Sequence, residues 1–279
     1  MDWISFHHPD WSLPVVRRRA QEEWLDLVED LAEILTTGGR VHFWKSTYPN
    51  LRAYHNSMSR LRGAGLLVRH ENDGKLPHLK LTALGQAALP EYHFPEKLWN
   101  TKWNGIWYTL VFDVPEKERH YRDTLRKFLK RMRMGCLQKS VWISPRDIRP
   151  EYDDLERAAN VNAVSYLLES RTVLHHEAIE MVENSWNFDW LKELHERYLS
   201  VFSGNLRVLE ETDHDEAALL HLLRQESEAY LQCMRPDPLL PSELLPKGYR
   251  GKAVYELHKT VRSAIGRQLE KYIIQHPRS

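Results

Sequence analysis

Ile106-Trp107-Tyr108-Thr109-Leu110-Val111-Phe112-Asp113 is the stretch on which the fold turns. Aromatic and branched side chains run together here and Pro115 follows, a pattern that predicts a buried strand. Working outward, Glu116 to Arg133 is a strongly basic amphipathic helix that turns Tyr121, Leu125, Phe128, Leu129 and Met132 inward, with Gly135 as its cap. Gln138 to Ser144 reads as a second strand. A helix around Tyr152 to Ala159, a strand at Ala163 to Leu168 and a helix at His176 to Trp186 continue the alternation. Together they predict a ferredoxin-like α/β domain over residues 96–186.

Upstream, Gln21 to Leu35 carries apolar residues at helical spacing among acids, and Gly38-Gly39 ends the pattern. Asn50 is an N-cap for the next helix, Leu51 to Ala64. Leu51, Tyr54, Met58 and Leu61 fall on one of its faces; Arg52, His55, Asn56, Ser59 and Arg62 occupy the other. Gly65 supplies its C-cap. Leu66 to Val68, the turn Glu71-Asn72-Asp73-Gly74 and the return His78 to Leu81 form a hairpin, and Thr82 precedes a short helix from Ala83 to Leu89. A basic helix followed by a hairpin predicts a winged helix-turn-helix in residues 1–95. Downstream, helices at Asp189 to Phe202, Asp215 to Met234 and Gly251 to Ile274 make 187–279 a helical domain, so the fold class is α+β.

The chain has equal numbers of acidic and basic residues, 39 of each, but their distribution is uneven. From Arg40 to Lys80 the cations Arg40, Lys45, Arg52, Arg60, Arg62, Arg69, Lys75 and Lys80 face only Glu71 and Asp73. A second basic block runs from Lys117 to Arg149, and Glu151 to Glu228 is acidic. Such polarity suits an anionic partner on one side of the molecule. Cys136 and Cys233 stand far apart and form no CxxC pair, so neither a disulfide framework nor a structural zinc cluster is suggested. The 15 histidines show no HExxH or HxH spacing. Neither a secretory leader nor a membrane-spanning run is apparent, so the expected location is the cytoplasm, away from the membrane. No cofactor is expected.

Three segments carry a family resemblance. Trp103-x-x-Ile-Trp-Tyr-x-x-Val-Phe-Asp-Val-Pro-Glu116, Arg119-x-x-Arg-x-x-Leu-Arg126 and Leu137-Gln-x-Ser-Val-Trp-Ile-Ser-Pro145 resemble the central region of the PaaX repressors. Trp186 to Phe202 and Leu240-Pro-Ser-Glu-Leu-Leu-Pro-Lys-Gly-Tyr-Arg-Gly251 extend the likeness, with Tyr249 where the family usually has Trp. Ser59-Arg60-Leu61, Gly65, Leu67, Gly74-Lys75, Leu81-Thr82 and Gly85 fit as well, with His55 where arginine is common. The resemblance implies a transcriptional repressor that binds double-stranded operator DNA as a homodimer and is released by an acyl-CoA effector.

A helix fits the major groove, and clustered Lys and Arg gain from counterion release. Arg52, His55, Asn56 and Ser59 are therefore assigned to base edges, Arg60 and Arg62 to phosphates or to bracing the helix, and Lys75, His78 and Lys80 to the wing. One helix-turn-helix reads a short half-site, so a homodimer on an inverted repeat is expected. The apolar stripes of Asp189 to Phe202 and Gly251 to Ile274 are candidates for its interface or for internal core. Arg119, Arg122, Arg126 and Lys130 are candidates for effector or DNA contact. The rival reading is enzymatic. The central block also resembles the smaller nuclease of CRISPR spacer acquisition, in which a first-strand aspartate, here Asp113, can hold a metal for phosphodiester hydrolysis.

Overall fold

In chain order the elements are α1 (Leu51–Gly63), β1 (Leu67–His70), β2 (His78–Leu81), α2 (Ala83–Ala87), α3 (Pro95–Trp99), β3 (Trp107–Phe112), α4 (Arg119–Arg131), β4 (Gly135–Gln138), β5 (Val141–Ser144), β6 (Ser165–Ser170), α5 (Ala178–Ser185), α6 (Phe188–Glu211), α7 (Glu216–Met234) and α8 (Gly251–Gln275). The structure, a computed structural model, describes residues 51–70, 78–87, 89, 91–114, 119–153, 165–171, 173 and 175–275. The expected helix Gln21 to Leu35, the turn at Glu71 to Gly74, Lys75 and most of the helix around Tyr152 to Ala159 lie outside the described residues.

The described residues group into two units. One takes the described residues from Leu51 to His93 together with Glu196–Gln232 and those from Lys252 to Gln275. Helix α1 ends in a paired cap: the Gly65 amide donates to Arg62 O and the Leu66 amide to Leu61 O, both at 2.9 Å, with Gly65 at φ +72°. That left-handed residue is why glycine stands there. Strands β1 and β2 pair antiparallel, Leu67 opposite Leu81 and His70 opposite His78. Thr82 Oγ1 accepts from the Gly85 amide at 2.9 Å, capping α2, and donates to Gly65 O at 2.6 Å.

The helical part of this unit buries Tyr198, Phe202, Leu219, Leu222, Val254, Val261 and Ile265, each completely. At about 1.5–3 kcal/mol per buried side chain, these stripes are already committed to internal core. They are therefore not left over for an interface between copies. Helix α6 also runs past the expected stop at Phe202, through Gly204 to Glu211. Asn205 and Leu209, 0% and 3% exposed, continue the buried face, and that packing outweighs the roughly 1 kcal/mol cost of a helical glycine. Glu226, also fully buried, accepts from Tyr198 Oη and from His258 Nδ1. The His258 ring stacks on Tyr230, whose hydroxyl donates to Tyr92 O at 2.7 Å.

The other unit comprises Phe94–His195 and Cys233–Gly251. Its sheet has the order β4-β5-β3-β6, and every neighbouring pair is antiparallel. Helix α4 crosses from β3 to β4 while β5 returns between them, the split β-α-β arrangement of a ferredoxin-like domain. Alternation along β3 sends Tyr108, Leu110 and Phe112 to one face, against Leu125 and Leu129 of α4. Trp107 on the other face joins Ile143, Met181, Val182, Leu240 and Leu244.

Two local expectations change here. The predicted single strand Gln138 to Ser144 is a hairpin: Gln138 pairs with Val141, leaving Lys139 and Ser140 as its turn. Gly135 does not cap α4. Arg133 takes the left-handed cap position at φ 57°, and the Met134 amide bonds back to Leu129 O at 3.1 Å. Gly135 opens β4 instead, where a Cβ would lie 2.7 Å from Ser185 Cβ and from Trp186 Cε2. The glycine is selected by the close approach of α5, not by a turn.

Candidate functional site

On α1, Arg52, Asn56 and Ser59 are exposed and lie three to four residues apart, so they share one face. Arg60 and Arg62, also exposed, stand in the last turn, where the helix dipole favours cations. His55 lies in the same helix, and His78 and Lys80 lie in β2, with Lys80 opposite Val68 and His78 opposite His70. Lys75 is outside the described residues.

Arg119, Arg122, Arg126 and Lys130 all lie in α4; Arg122 and Arg126 are half-buried and, three residues before Leu125 and Leu129, flank the buried stripe. Lys127, Lys130 and Arg131 are exposed; Arg126 donates to Lys139 O at 3.2 Å, and Arg131 lies over the Phe128 ring at 5.5 Å. Asp113 is exposed just beyond the end of β3. Among the described residues no group of three His, Cys, Asp or Glu side chains converges as a metal site, and no helix is long and apolar enough to cross a membrane.

A polar cluster that sequence reading missed lies in the sheet-bearing unit, centred on Asp237. Its carboxyl group is fully buried. Oδ1 accepts from the Leu239 amide at 2.8 Å, holding Leu239 in a left-handed turn at φ 48°. Oδ2 accepts from Tyr249 Oη at 2.7 Å and lies 3.4 Å from Nε2 of His195, which is itself 0% exposed. Arg133 Nη1 donates to Met234 O at 3.2 Å, to Arg235 O at 3.1 Å and to Asp237 O, closing the C-terminus of α7 with a cation. Trp186 Nε1 in turn donates to Arg133 O at 3.2 Å. Burial pushes the Asp237 carboxyl above the usual carboxylate range, against His195, the Tyr249 hydroxyl and the Leu239 amide. Burial pushes the His195 imidazole down, against the pull of Asp237. Both shifts favour the uncharged forms.

The Tyr249 ring meets Trp99, Phe188 and His195 edge-on, with centroids 6.2, 6.3 and 5.8 Å away. At Gly251 a Cβ would sit 2.1 Å from Tyr249 Oη, so only glycine leaves room for the hydroxyl to reach Asp237. Beside this cluster a cleft of about 390 Å³ opens, walled by Trp186, Phe188, Tyr249 and His195 and rimmed by Lys192, Lys247 and Arg250. Two signals in the sequence bear on it: Asp237 sits between Pro236 and Pro238, and His195 occupies an apolar position of α6, four residues after Leu191. Neither tells which residue meets which.

Comparison with known proteins gives two matching family models. The PaaX protein central Cas2-like domain matches residues 100–182, the segment that folds as the four-stranded sheet with its helices. The PaaX-like protein C-terminal domain matches residues 186–275, which supply His195, Asp237 and Tyr249. No curated protein matches. Among solved structures, the chain is similar to the uncharacterized protein Rv0674 from Mycobacterium tuberculosis at 18% identity, over 89% of this chain and 99% of that one, with a TM-score of 0.52. At that identity the likeness is one of fold. With both models matched in order over well over half of its length, the chain belongs to the PaaX family of transcription regulators.

Proposed function

We propose that the protein is a repressor that binds double-stranded operator DNA through a winged helix-turn-helix containing α1, β1 and β2. The observation that carries this reading is the face of α1. Arg52, Asn56 and Ser59 stand exposed on one side of a helix that an antiparallel hairpin follows directly. Such a helix presents a guanidinium and an amide to base edges, with Arg60 and Arg62 turned to phosphates and Lys75, His78 and Lys80 on the wing. His55 stands among the base-facing residues. A homodimer reading an inverted repeat follows from the short reach of one recognition helix. Tyr166 and Leu168, 69% and 51% exposed on edge strand β6, are apolar surface for pairing two copies. An acyl-CoA effector would release the DNA, with Arg119, Arg122, Arg126 and Lys130 as cations for its phosphates or for the DNA.

Selection of bound fragments from random DNA, followed by gel shift on the selected site, tests this reading. The Arg52→Ala, Asn56→Ala double variant should lose about 2–6 kcal/mol of specific affinity, at about 1–3 kcal/mol per base contact. Unchanged affinity at physiological salt overturns the assignment. The nuclease reading rests on Asp113, exposed at the strand end. Incubation of DNA with the protein and Mg²⁺ or Mn²⁺ separates the two: the repressor leaves DNA intact, whereas cleavage abolished by Asp113→Ala establishes an enzyme.

A further inference from the structure

We infer that Tyr230 is a positioning residue for the winged helix: its hydroxyl fixes the segment through which the chain leaves that domain, and so sets the spacing at which two copies read DNA. The consequence for DNA rests on the homodimeric operator reading; the joint itself does not. Helix α2 ends at Ala87, and the chain that follows is at once buried, with Leu89, Tyr92 and His93 only 8%, 7% and 8% exposed. Glu91–His93 form a single 3-10 turn. The Tyr230 hydroxyl, on α7, donates to the main-chain oxygen of Tyr92 in that turn at 2.7 Å.

Residues of α6, α7 and α8 converge to hold that hydroxyl. The Tyr230 ring stacks on His258 of α8, with centroids 3.7 Å apart and planes 11° from parallel. His258 Nδ1 lies 2.7 Å from Oε1 of Glu226, one turn before Tyr230 on α7, and the same oxygen accepts from Tyr198 Oη of α6. Glu226 and Tyr198 are fully buried, and Tyr230 nearly so. Replacing a buried charged pair by packed apolar side chains is often neutral for stability, so what this network adds is one fixed arrangement. The arrangement ends on the exit of the winged helix. Each residue freed from that exit adds up to about 3.3–3.6 Å of reach, as much as one base-pair step of about 3.4 Å. Loosening the turn at Glu91–His93 is therefore enough to blur the spacing of two half-sites by a base pair.

Two conservative variants of the full chain test the joint. Tyr230→Phe removes the hydroxyl but keeps the ring, its stack and its volume, so the protein stays folded. Tyr198→Phe removes a hydroxyl of the same buried network that binds Glu226 instead of the exit. Amide hydrogen exchange at Glu91–His93 should quicken at least about tenfold in Tyr230→Phe, with α6 and α8 exchanging as in wild type, and should keep its wild-type rate in Tyr198→Phe. Inserting one base pair between the half-sites of a selected operator should weaken gel-shift binding of wild type and of Tyr198→Phe by at least about tenfold, and of Tyr230→Phe by less than about threefold. A hydroxyl that served stability alone would leave this spacing preference untouched. Wild-type exchange at Glu91–His93 in Tyr230→Phe, an equal effect of Tyr198→Phe, or an undiminished spacing preference in Tyr230→Phe overturns the assignment. Faster exchange confined to Tyr230→Phe, in a protein that selects no inverted repeat, upholds the joint and overturns the operator reading.

Discussion

Gly251→Ala is the most informative single change, because one methyl group tests the geometry of the buried cluster. The added Cβ would lie 2.1 Å from Tyr249 Oη, 2.4 Å from Tyr249 Cζ and 2.9 Å from Asp237 Oδ2, whereas unstrained carbon–oxygen contacts begin at about 3.3 Å. The clashing atoms belong to the far end of a half-buried side chain that borders the cleft, so the ring swings outward and the backbone stays. The cost is therefore that of the 2.7 Å bond from Tyr249 Oη to a fully buried carboxyl, about 1–3 kcal/mol when an acceptor is left unmet. The gain in helix propensity, at most about 1 kcal/mol, is small at the first residue of α8. At about 2–4 °C per kcal/mol for a chain of 150–250 residues, and somewhat less for a longer one, the melting temperature should fall by about 2–10 °C. A double-mutant cycle with Tyr249→Phe isolates the mechanism. With no hydroxyl to displace, the alanine should cost little, giving a coupling of at least about 1 kcal/mol. A neutral Gly251→Ala, or costs that simply add, would refute the reasoning.

Gly135→Ala should destabilise by about 1–3 kcal/mol, since its Cβ meets Ser185 Cβ and the Trp186 ring inside a packed face; thermal unfolding at the wild-type midpoint would contradict that packing. For Asp237 the folded state holds the carboxyl proton more tightly than the unfolded chain does, because burial raises it from its ordinary 3.8. Its contribution is complete below about pH 3.8 and is lost as pH rises through the folded value. His195, lowered from 6.5, has the opposite sign: its contribution is complete above that value and is lost as pH falls. Asp237→Asn removes the first contribution and one of the influences that raise His195, so its stability relative to wild type should increase from pH 4 to pH 8; a decrease over that range in melts would show the sign to be wrong. Replacing Lys127 and Lys130, both exposed on α4, with alanine should flatten the salt dependence of DNA affinity by up to about two units of slope if that helix touches phosphates, and an unchanged slope would remove it from the DNA interface.

Much of the fold is legible in the sequence because it depends on local period. The aromatic and branched run of Trp107 to Phe112, the helical stripe of Leu125 and Leu129, and the start of α8 at Gly251 are set by neighbouring residues, and they stand where the pattern puts them. The departures arise where distant packing outweighs a local signal. A glycine after a helix normally caps it, yet Gly135 serves the approach of Trp186, and Arg133 accepts the strained cap because its side chain reaches the carbonyls at the end of α7. Gly204 normally signals an end, yet α6 continues over it because its buried face does.

By itself the sequence determined the strand and helix periods, the basic face of α1 and the motifs that place the chain in its family, since all of these are written in neighbouring residues. Only the tertiary structure decided that His195, Asp237, Tyr249 and Arg133 meet. Arg133 bonds to residues 101 to 104 positions away and His195 faces an aspartate beyond the end of the following helix, pairings that depend on how elements pack and have no local signature.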